Sequence, residues 1–257
     1  MRIFIITMDD PVLTIPFFKR IIKERHKDII GIATTKGDRL TIGKKRSPVI
    51  YLFSLLLIMG PYHFTKHVIT TLLFKLKKIF SFLPFISSPS ILTFATKHNI
   101  PVYNIRTPNN KEFLKTLKEL KPDVIINQSQ SIIKRELLSV PKYGVINRHN
   151  ALLPKNRGRL TPFWVLFKKE TETGVSIHFV DEGIDSGDII VQEKFKVEKD
   201  ETFNSLVKKN YKIAPEAMLK ALDLIESGNY TVIENDNNLA TYNSVPSFKD
   251  AWKFRFG

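Results

Sequence analysis

Short apolar runs alternate with stretches of helical spacing along most of the chain. The apolar runs fall at residues 1–7, 28–35, 101–105, 123–127 and 144–149. Runs of this length predict strands that are buried on both faces, and their alternation with helices predicts a parallel sheet covered on both sides. The expected fold class is therefore α/β, with a Rossmann-like open sheet that is mostly parallel and carries helices on both faces.

Two further strands are predicted close together, GVSIHFVDE from Gly174 and DIIVQEKFKV from Asp188. The loop between them is too short for a parallel crossover, so they are expected to form an antiparallel hairpin at the edge of the sheet. A long helix is predicted over residues 201–227, and the tail after it shows no regular pattern. We therefore expect one catalytic domain over residues 1–200, followed by a C-terminal helix and tail over residues 201–257.

Residues 39–88 interrupt the alternation and predict a basic, apolar helical insertion. The run VIYLFSLLLIM from Val49 is apolar on all sides but too short to span a bilayer, whereas VITTLLFKLKKIFSFL from Val68 mixes lysines with apolar residues. Such a basic amphipathic segment can lie on an anionic membrane, which gives residues 48–87 a peripheral membrane contact. The other interpretations are helices packed on the domain with their lysines in water, and a homodimer surface.

Composition adds charge and location to this picture. The 257 residues carry a net charge of +15, and the span from Arg39 to Lys111 has eleven Lys and Arg but no Asp or Glu, so it supplies +11 of that charge. Because this span lacks stacking aromatic residues on a polar face, nucleic acid is not the expected partner. The absence of cysteine excludes disulfides and thiolate chemistry. The start, MRIFIITMDDP, is not a secretory signal, which predicts a cytoplasmic or membrane-peripheral location.

A polar cluster follows the fifth apolar run. Asn147 and His149 are two residues apart at a strand end and so point to one face, and the loop HFVDEGIDSGD from His178 contains Asp185. Ligands of open α/β sheets bind beyond the carboxyl ends of the strands, which makes these residues candidates for a site. Taken singly, His149 and His178 can be structural histidines and Asp185 a turn residue. No metal is expected, because His149, His178 and Asp185 lack the close pairing of metal ligands.

The whole pattern, Asn-x-His, Leu-Leu-Pro, a glycine four residues later and an Asp-bearing glycine loop, resembles the folate-dependent formyltransferases. This family includes methionyl-tRNA, phosphoribosylglycinamide and sugar-nucleotide formyltransferases, and the resemblance extends from about Pro122 to Gln192. The positions that carry it are Asn147, His149, Leu152, Leu153, Pro154, Gly158, Gly174, His178, Gly183, Asp185 and Gly187.

The resemblance implies an enzyme that uses 10-formyltetrahydrofolate as formyl donor and an amine as acceptor. It implies that Asn147 and His149 stabilise the negative charge on the formyl oxygen, and that Asp185 orients His149 and accepts the proton of the amine. Two loops are expected to hold the pterin, and their residues are Gln130, Ser131, Ile132, Ile133, Val180, Asp181, Glu182 and Gly183. Many members have Tyr-Gly where this chain has Ser129-Gln130, and a serine where it has Ala151.

The acceptor is expected to be an amino sugar, carried as a sugar nucleotide for cell-envelope polysaccharide such as lipopolysaccharide. Arg157 and Arg159 flank Gly158 and are expected to hold the diphosphate. Methionyl-tRNA formyltransferases carry a C-terminal OB domain, and none is expected in the 65 residues after Gln192. Two alternative acceptors remain: another small amine, such as an amino acid or hydroxamate precursor, and methionyl-tRNA. A non-enzymatic membrane-associated homologue is the least favoured alternative.

Overall fold

Seven strands form one sheet in the computed structural model, which describes residues 1–12, 14–35, 47–80 and 90–257. In chain order the elements are β1 (Ile3–Met8), α1 (Thr14–Arg25), β2 (Ile29–Thr35), α2 (Pro48–Met59), α3 (Pro61–Ile79), α4 (Ile91–Lys97), β3 (Val102–Ile105), α5 (Lys111–Leu120), β4 (Val124–Gln128), α6 (Arg135–Leu138), β5 (Gly144–His149), β6 (Arg157–Gly158), α7 (Thr161–Phe167), β7 (Glu172–Phe179), β8 (Ile189–Lys196), α8 (Phe203–Ser227), β9 (Tyr242–Asn243) and α9 (Phe248–Phe256).

The strand order is β3-β2-β1-β4-β5-β7-β8. The first five strands in this order pair in parallel, and β7 joins β5 and β8 in antiparallel pairs. This arrangement confirms the predicted Rossmann-like sheet with an antiparallel hairpin at its edge. The chain runs from β1 to β2 through α1 on one face of the sheet, and later from β3 to β4 through α5 on the other face. The order of the strands therefore reverses between β1 and β4, which creates the kind of switch point where such sheets bind ligands.

Alternate residues of β1 enter two separate hydrophobic cores. Ile3 and Ile5 pack with the buried residues of α1 and α8 on one face of the sheet, whereas Phe4 and Ile6 pack with those of α5 on the other. This is the burial expected of a strand covered on both faces, since successive side chains of a strand point to opposite sides. The predicted helical layers on both faces are therefore confirmed.

Two helices, α2 and α3, form the described part of the predicted insertion; residues 36–46 and 81–89 lie outside the described residues. Helix α3 is joined to the domain along a narrow seam that includes the buried Phe74. At its end, Lys78 Nζ lies 2.9 Å from a carboxylate oxygen of Asp9, just beyond β1. The same carboxylate accepts hydrogen bonds from Ser90 Oγ and the Ile91 N–H at the start of α4.

The C-terminal tail is more regular than its sequence pattern predicts. Strand β9 pairs in parallel with β6 to make a second, two-stranded sheet, and α9 is capped by Ser247, whose hydroxyl accepts from the Asp250 N–H. The prediction of an irregular tail is therefore wrong for these two elements. A strand of two residues has too few positions to show an alternating pattern.

Candidate functional site

Strands β5 and β7 bring the predicted polar residues to one face of the sheet. In their antiparallel register Asn147 lies opposite His178 and His149 lies opposite Ser176. Directly opposed residues of an antiparallel pair project from the same side, and so do residues two apart on one strand. Asn147, His149 and His178 therefore share one face, close to where β5 ends.

The loop after β7 carries Asp185 back to these side chains. One carboxylate oxygen, Oδ2, lies 3.4 Å from His149 Nδ1 and accepts the Gly158 N–H at 2.9 Å. The other, Oδ1, lies 3.7 Å from His178 Nε2. Asp185 adopts a φ of +50°, in the left-handed region that Asn and Asp enter more readily than most residues. The structure thus brings the predicted carboxylate to the predicted imidazole.

The ring of His149 is fixed from both sides. Its Nε2 donates to the Asn156 carbonyl at 2.8 Å, because a carbonyl can only accept, and this leaves Nδ1 as the atom that faces Asp185. The ring is buried, with 5% exposure, so it has little freedom to rotate. The ring nitrogen through which His149 and Asp185 interact is therefore Nδ1.

Burial and the neighbouring charges shift the pKa of Asp185 in opposite directions, and the same is true of the pKa of His178. Burial raises the pKa of Asp185, but the rings of His149 and His178, the Gly158 N–H and the charge of Arg157 together hold that pKa below its ordinary value. Burial lowers the pKa of His178, although Asp185 opposes that shift. At neutral pH we therefore expect an ionised Asp185 beside a neutral His178, whose Nδ1 donates to the Phe179 carbonyl at 2.7 Å.

A chain of polar contacts sets the orientation of the Asn147 amide. Arg148 Nε donates to Gln128 Oε1 at 3.1 Å, and Gln128 Nε2 in turn donates to Asn147 Oδ1. Since arginine can only donate, it selects the oxygen side of Gln128 and so turns the amide N–H groups of Asn147 away from Gln128. Tyr211 completes the chain, because its hydroxyl accepts from Arg148 Nη2 at 2.9 Å and its ring lies 4.2 Å from the guanidinium.

The alternation of β5 predicts only that Arg148 points away from Asn147, so this contact through Gln128 is not apparent from the sequence. The signal that was available is the position of Gln128 at the end of β4, beside β5 in the predicted sheet. The side-chain amide of Gln128 contacts Asn147 because the ends of the two neighbouring strands lie close together.

Arg157 does not occupy the position predicted for it. Its side chain is fully buried, Nη2 donates to both the backbone oxygen and Oδ1 of Asn235, and Nη1 donates to Asn237 Oδ1 and the Tyr242 hydroxyl. The prediction that Arg157 holds a diphosphate is therefore wrong, because the side chain is fully buried and both of its Nη groups are engaged inside the protein. Asn235 also connects Arg157 to the loop of Asp185, because its Nδ2 donates to the backbone oxygens of Asp185 and Gly187.

Arg159 is partly exposed, and its backbone extends a strand. Its N–H donates to the Asn243 carbonyl at 2.9 Å, which continues the pairing of β6 with β9. Gly158 between the two arginines has a φ of +104°, and a Cβ there would lie 2.2 Å from the Asn243 carbonyl oxygen. Only glycine therefore allows the strand to approach β9 and present its N–H to Asp185.

The two loops predicted to hold a pterin both begin beside the same hydrophobic core. Ile133 and Val180 pack in the core that contains Ile125 and Val145 of the adjacent strands β4 and β5. Several of their backbone groups are already bonded: the Val180 N–H to Val145, the Ile132 carbonyl to Asn109, and the Gly183 N–H to the Asp181 side chain. Ile133 is buried, so its side chain serves the core and not a ligand.

Exposed apolar side chains mark both loops. Ile132 is 70% exposed on the loop after β4, and Ile184 is 56% exposed on the loop after β7. Ile184 is not among the loop residues predicted from the sequence, although an isoleucine between Gly183 and Asp185 in a polar turn is unusual. Large apolar residues kept in water beside polar backbone groups are suited to contact a flat ring.

Two features are absent from the part of the chain that the structure describes. Within residues 1–12, 14–35, 47–80 and 90–257, no group of three or more His, Asp or Glu side chains has a spacing suited to a metal ion. In the same ranges, no helix combines the length and apolar character that crossing a bilayer requires.

The structure thus joins an amide and an imidazole on β5 with a carboxylate from the loop after β7, beyond the strand ends of a Rossmann-like sheet, which is an arrangement suited to group transfer. The formyl transferase family model matches residues 66–222, which is more than half of the chain. The chain therefore belongs to the formyl transferase family.

Curated relatives of this chain include two methionyl-tRNA formyltransferases. That of Clostridioides difficile (strain 630) is 40% identical over 136 residues, which covers 52% of this chain and 44% of the relative. That of Thermotoga maritima is 36% identical over 149 residues, with 58% and 48% covered. The chain thus spans about half the length of the curated relatives it matches.

Solved structures support the fold. The N-formyltransferase from Helicobacter canadensis, in complex with folinic acid and dTDP-3-aminofucose, superposes with a TM-score of 0.59 at 18% identity, and covers 95% of this chain and 71% of the other. A sugar 3N-formyl transferase in the presence of dTDP and 5-N-formyl-THF gives 0.58 at 20% identity, covering 95% and 69%. The phosphoribosylglycinamide formyltransferase of Bacillus halodurans gives 0.60 at 19%, covering 88% and 96%.

Proposed function

We propose that this chain transfers a formyl group from 10-formyltetrahydrofolate to the amine of an amino sugar carried as a sugar nucleotide, for use in cell-envelope polysaccharide. The observation that carries the proposal is the meeting of Asp185 and His149 beside the oriented amide of Asn147. These are the groups that an acyl transfer to nitrogen requires: a donor for the oxygen that becomes negative, and an acceptor for the proton that leaves the amine.

Each residue has a separate role in the proposed reaction. The Nδ2 group of Asn147, turned from Gln128, donates to the formyl oxygen as its charge develops. Asp185 accepts the proton from the acceptor nitrogen, directly or through water, and orients His149 through Nδ1. Both ring nitrogens of His149 are engaged, Nδ1 with Asp185 and Nε2 with the Asn156 carbonyl, so the predicted donation from His149 to the formyl oxygen is not part of the proposal. The proton lost by the acceptor nitrogen balances the proton gained by the donor's leaving nitrogen, so the pair returns to its starting state.

The two loops after β4 and β7 fit the pterin of the donor. Ile132 and Ile184 offer apolar contact, and the exposed backbone of Gln130, Asp181 and Glu182 offers donors and acceptors. When bound, 10-formyltetrahydrofolate supplies the formyl carbon and the C–N bond that is exchanged. We propose that Ser131, Ile133, Val180 and Gly183 shape these loops through the backbone.

The sugar acceptor is supported by two structural neighbours that align with 95% of this chain, one solved with dTDP-3-aminofucose and the other in the presence of dTDP. With Arg157 buried, Arg159 is the remaining arginine beside Gly158 proposed to contact the diphosphate. Methionyl-tRNA is the second candidate acceptor, since curated relatives of that name are up to 40% identical over the aligned residues.

Turnover with 10-formyltetrahydrofolate and three classes of amine tests the proposal. We expect tetrahydrofolate release with a nucleoside-diphosphate amino sugar, and none with a small amino acid or with methionyl-tRNA. The formylated product is checked by mass spectrometry. Turnover with methionyl-tRNA alone would support the second candidate, and no turnover with any amine would contradict the enzymatic proposal.

Exchange of Gln128 for Glu is expected to reduce kcat by about 100-fold with little change in KM. A carboxylate at this position repels Asn147 Oδ1 and attracts its N–H groups, so the amide rotates and presents its oxygen to the formyl oxygen. Steady-state kinetics on the folded variant measures the effect.

The matched control is Gln128→Leu, which removes the contact but leaves the Asn147 amide free to adopt either orientation. Its loss of kcat should be the smaller of the two. Equal losses in the two variants would show that Gln128 acts by shape alone and does not orient Asn147.

A further inference from the structure

Helix α3 carries an apolar stripe on its outer side. Six residues spread over its last three turns are between 41% and 65% exposed: Val68, Ile69, Leu72, Leu73, Leu76 and Ile79. At about 100° per residue, these positions fall on one continuous side of the helix. Large apolar side chains scattered singly on a surface are ordinary, but a continuous stripe of this length indicates an interaction surface.

Lysines border the stripe on both sides. By the same helical spacing Lys75 lies along one edge, and Lys66 and Lys77 lie along the other. All three are exposed, and none forms an ion pair within the part of the chain that the structure describes. Helix α3 contains no Asp or Glu at all. The surface is therefore an apolar strip between two rows of positive charge.

The opposite side of α3 holds the helix to the domain. The buried Phe74 and the partly buried Phe64 lie on this side, and Lys78 pairs with Asp9 at 2.9 Å. Because these contacts account for the inward side, the outward stripe is not needed for packing. Helix α2 contacts α3 and adds further exposed apolar residues in its first turns, among them Val49, Leu52 and Phe53.

The pattern of charge distinguishes between the partners such a stripe can have. In a symmetric pair of copies, the same surface meets itself, so Lys66, Lys75 and Lys77 would face lysines with no carboxylate on the helix to neutralise them. An anionic lipid surface matches both features, since the apolar stripe enters the acyl boundary while the lysines reach the headgroups.

We propose that α3 docks this protein on anionic membranes, with Leu72 and Leu76 at the centre of the inserted stripe and Lys66, Lys75 and Lys77 contacting lipid headgroups. This surface lies on the opposite side of α3 from the seam that joins it to the domain. The protein thereby binds as a peripheral protein, and the docking does not depend on the reaction it catalyses.

Cosedimentation of the full chain with vesicles tests the proposal. The chain should sediment with phosphatidylcholine vesicles that contain phosphatidylglycerol, remain in solution with phosphatidylcholine alone, and be released by high salt. The triple variant Lys66→Gln, Lys75→Gln, Lys77→Gln should bind on the order of 100-fold more weakly, at about fivefold for each lysine.

The matched control changes three exposed lysines of α5 in the same way: Lys111→Gln, Lys115→Gln, Lys118→Gln. This variant has the same net charge as the first and should bind like the unchanged chain. An equal loss of binding in both variants would mean adsorption by net charge and would overturn the proposal. Equal sedimentation with neutral and anionic vesicles would also overturn it, and so would no sedimentation with either kind of vesicle.

A second variant, Leu72→Gln with Leu76→Gln, tests the apolar part and separates a membrane from a second copy. Both leucines are exposed, so the melting temperature should be unchanged while vesicle binding falls at least about tenfold. Sedimentation velocity without lipid should show a monomer for the double variant and for the unchanged chain. A dimer that this double substitution dissociates would overturn the proposal in favour of self-association.

Discussion

The variant Asp185→Asn is expected to fold normally and to lose about 1000-fold in kcat. In the proposed reaction the carboxylate beside His149 accepts the proton of the amine, and an amide in its place cannot do so. Asparagine tolerates the left-handed backbone of this position, and its side-chain oxygen can still accept the Gly158 N–H. Formyl transfer to the acceptor found by the turnover assay measures the loss.

The control for this variant is Asp188→Asn, which makes the same chemical change three residues away on an exposed side chain. Its kcat should stay within about threefold of the unchanged protein. The pKa of Asp185 lies below its ordinary value, so the ratio of the two rates should be constant through the neutral pH range. Unchanged turnover in Asp185→Asn would contradict the role assigned to the carboxylate.

The second large effect is on stability: Arg157→Met should lower the free energy of unfolding by about 3 kcal/mol. The substitution keeps the buried volume but leaves the backbone oxygen and Oδ1 of the buried Asn235 without their donor, whereas the exposed Asn237 and Tyr242 can bond water instead. Each unpaired buried acceptor costs about 1–3 kcal/mol, and part of this is recovered because the buried charge is removed as well. Urea unfolding at fixed pH measures the change.

Lys155→Met is the matched control, since it removes an exposed cation two residues earlier and should change the unfolding free energy by no more than about 0.5 kcal/mol. If Arg157→Met instead unfolds like the unchanged protein and raises KM for a nucleotide acceptor, then Arg157 serves the substrate as first predicted from the sequence.

The sheet was predictable because it follows from local rules, whereas the meeting of Asn147, His149 and Asp185 was implied by the resemblance to the folate-dependent formyltransferases. Alternation of apolar runs with helical spacing indicates a parallel sheet, a short connection indicates an antiparallel hairpin, and the carboxyl ends of neighbouring strands converge. Each rule about strands and turns rests on residues within a few positions of one another, whereas Asp185 lies 36 residues after His149. Local patterns of this kind can be interpreted without knowing the rest of the chain.

The environment of Arg157 was not predictable for the opposite reason. Its partners lie 78 to 85 residues further along the chain, in a segment without periodic pattern. A basic residue beside a glycine is usually exposed, and only the distant asparagines make burial of this one favourable. The same is true of Gln128, whose contact with Asn147 depends on the side-chain packing of two strands and not on the pattern of either.

The contact between Arg157 and the segment after α8 bears on how members of this family can be recombined. The family model ends its match at residue 222, which invites an exchange of everything beyond that point between relatives. In this chain such an exchange would remove Asn235, which bonds both Arg157 and the loop of Asp185. A hybrid joined at residue 222 would thus inherit the reactive groups without the residue that holds their loop, so the two halves are not modular at that boundary.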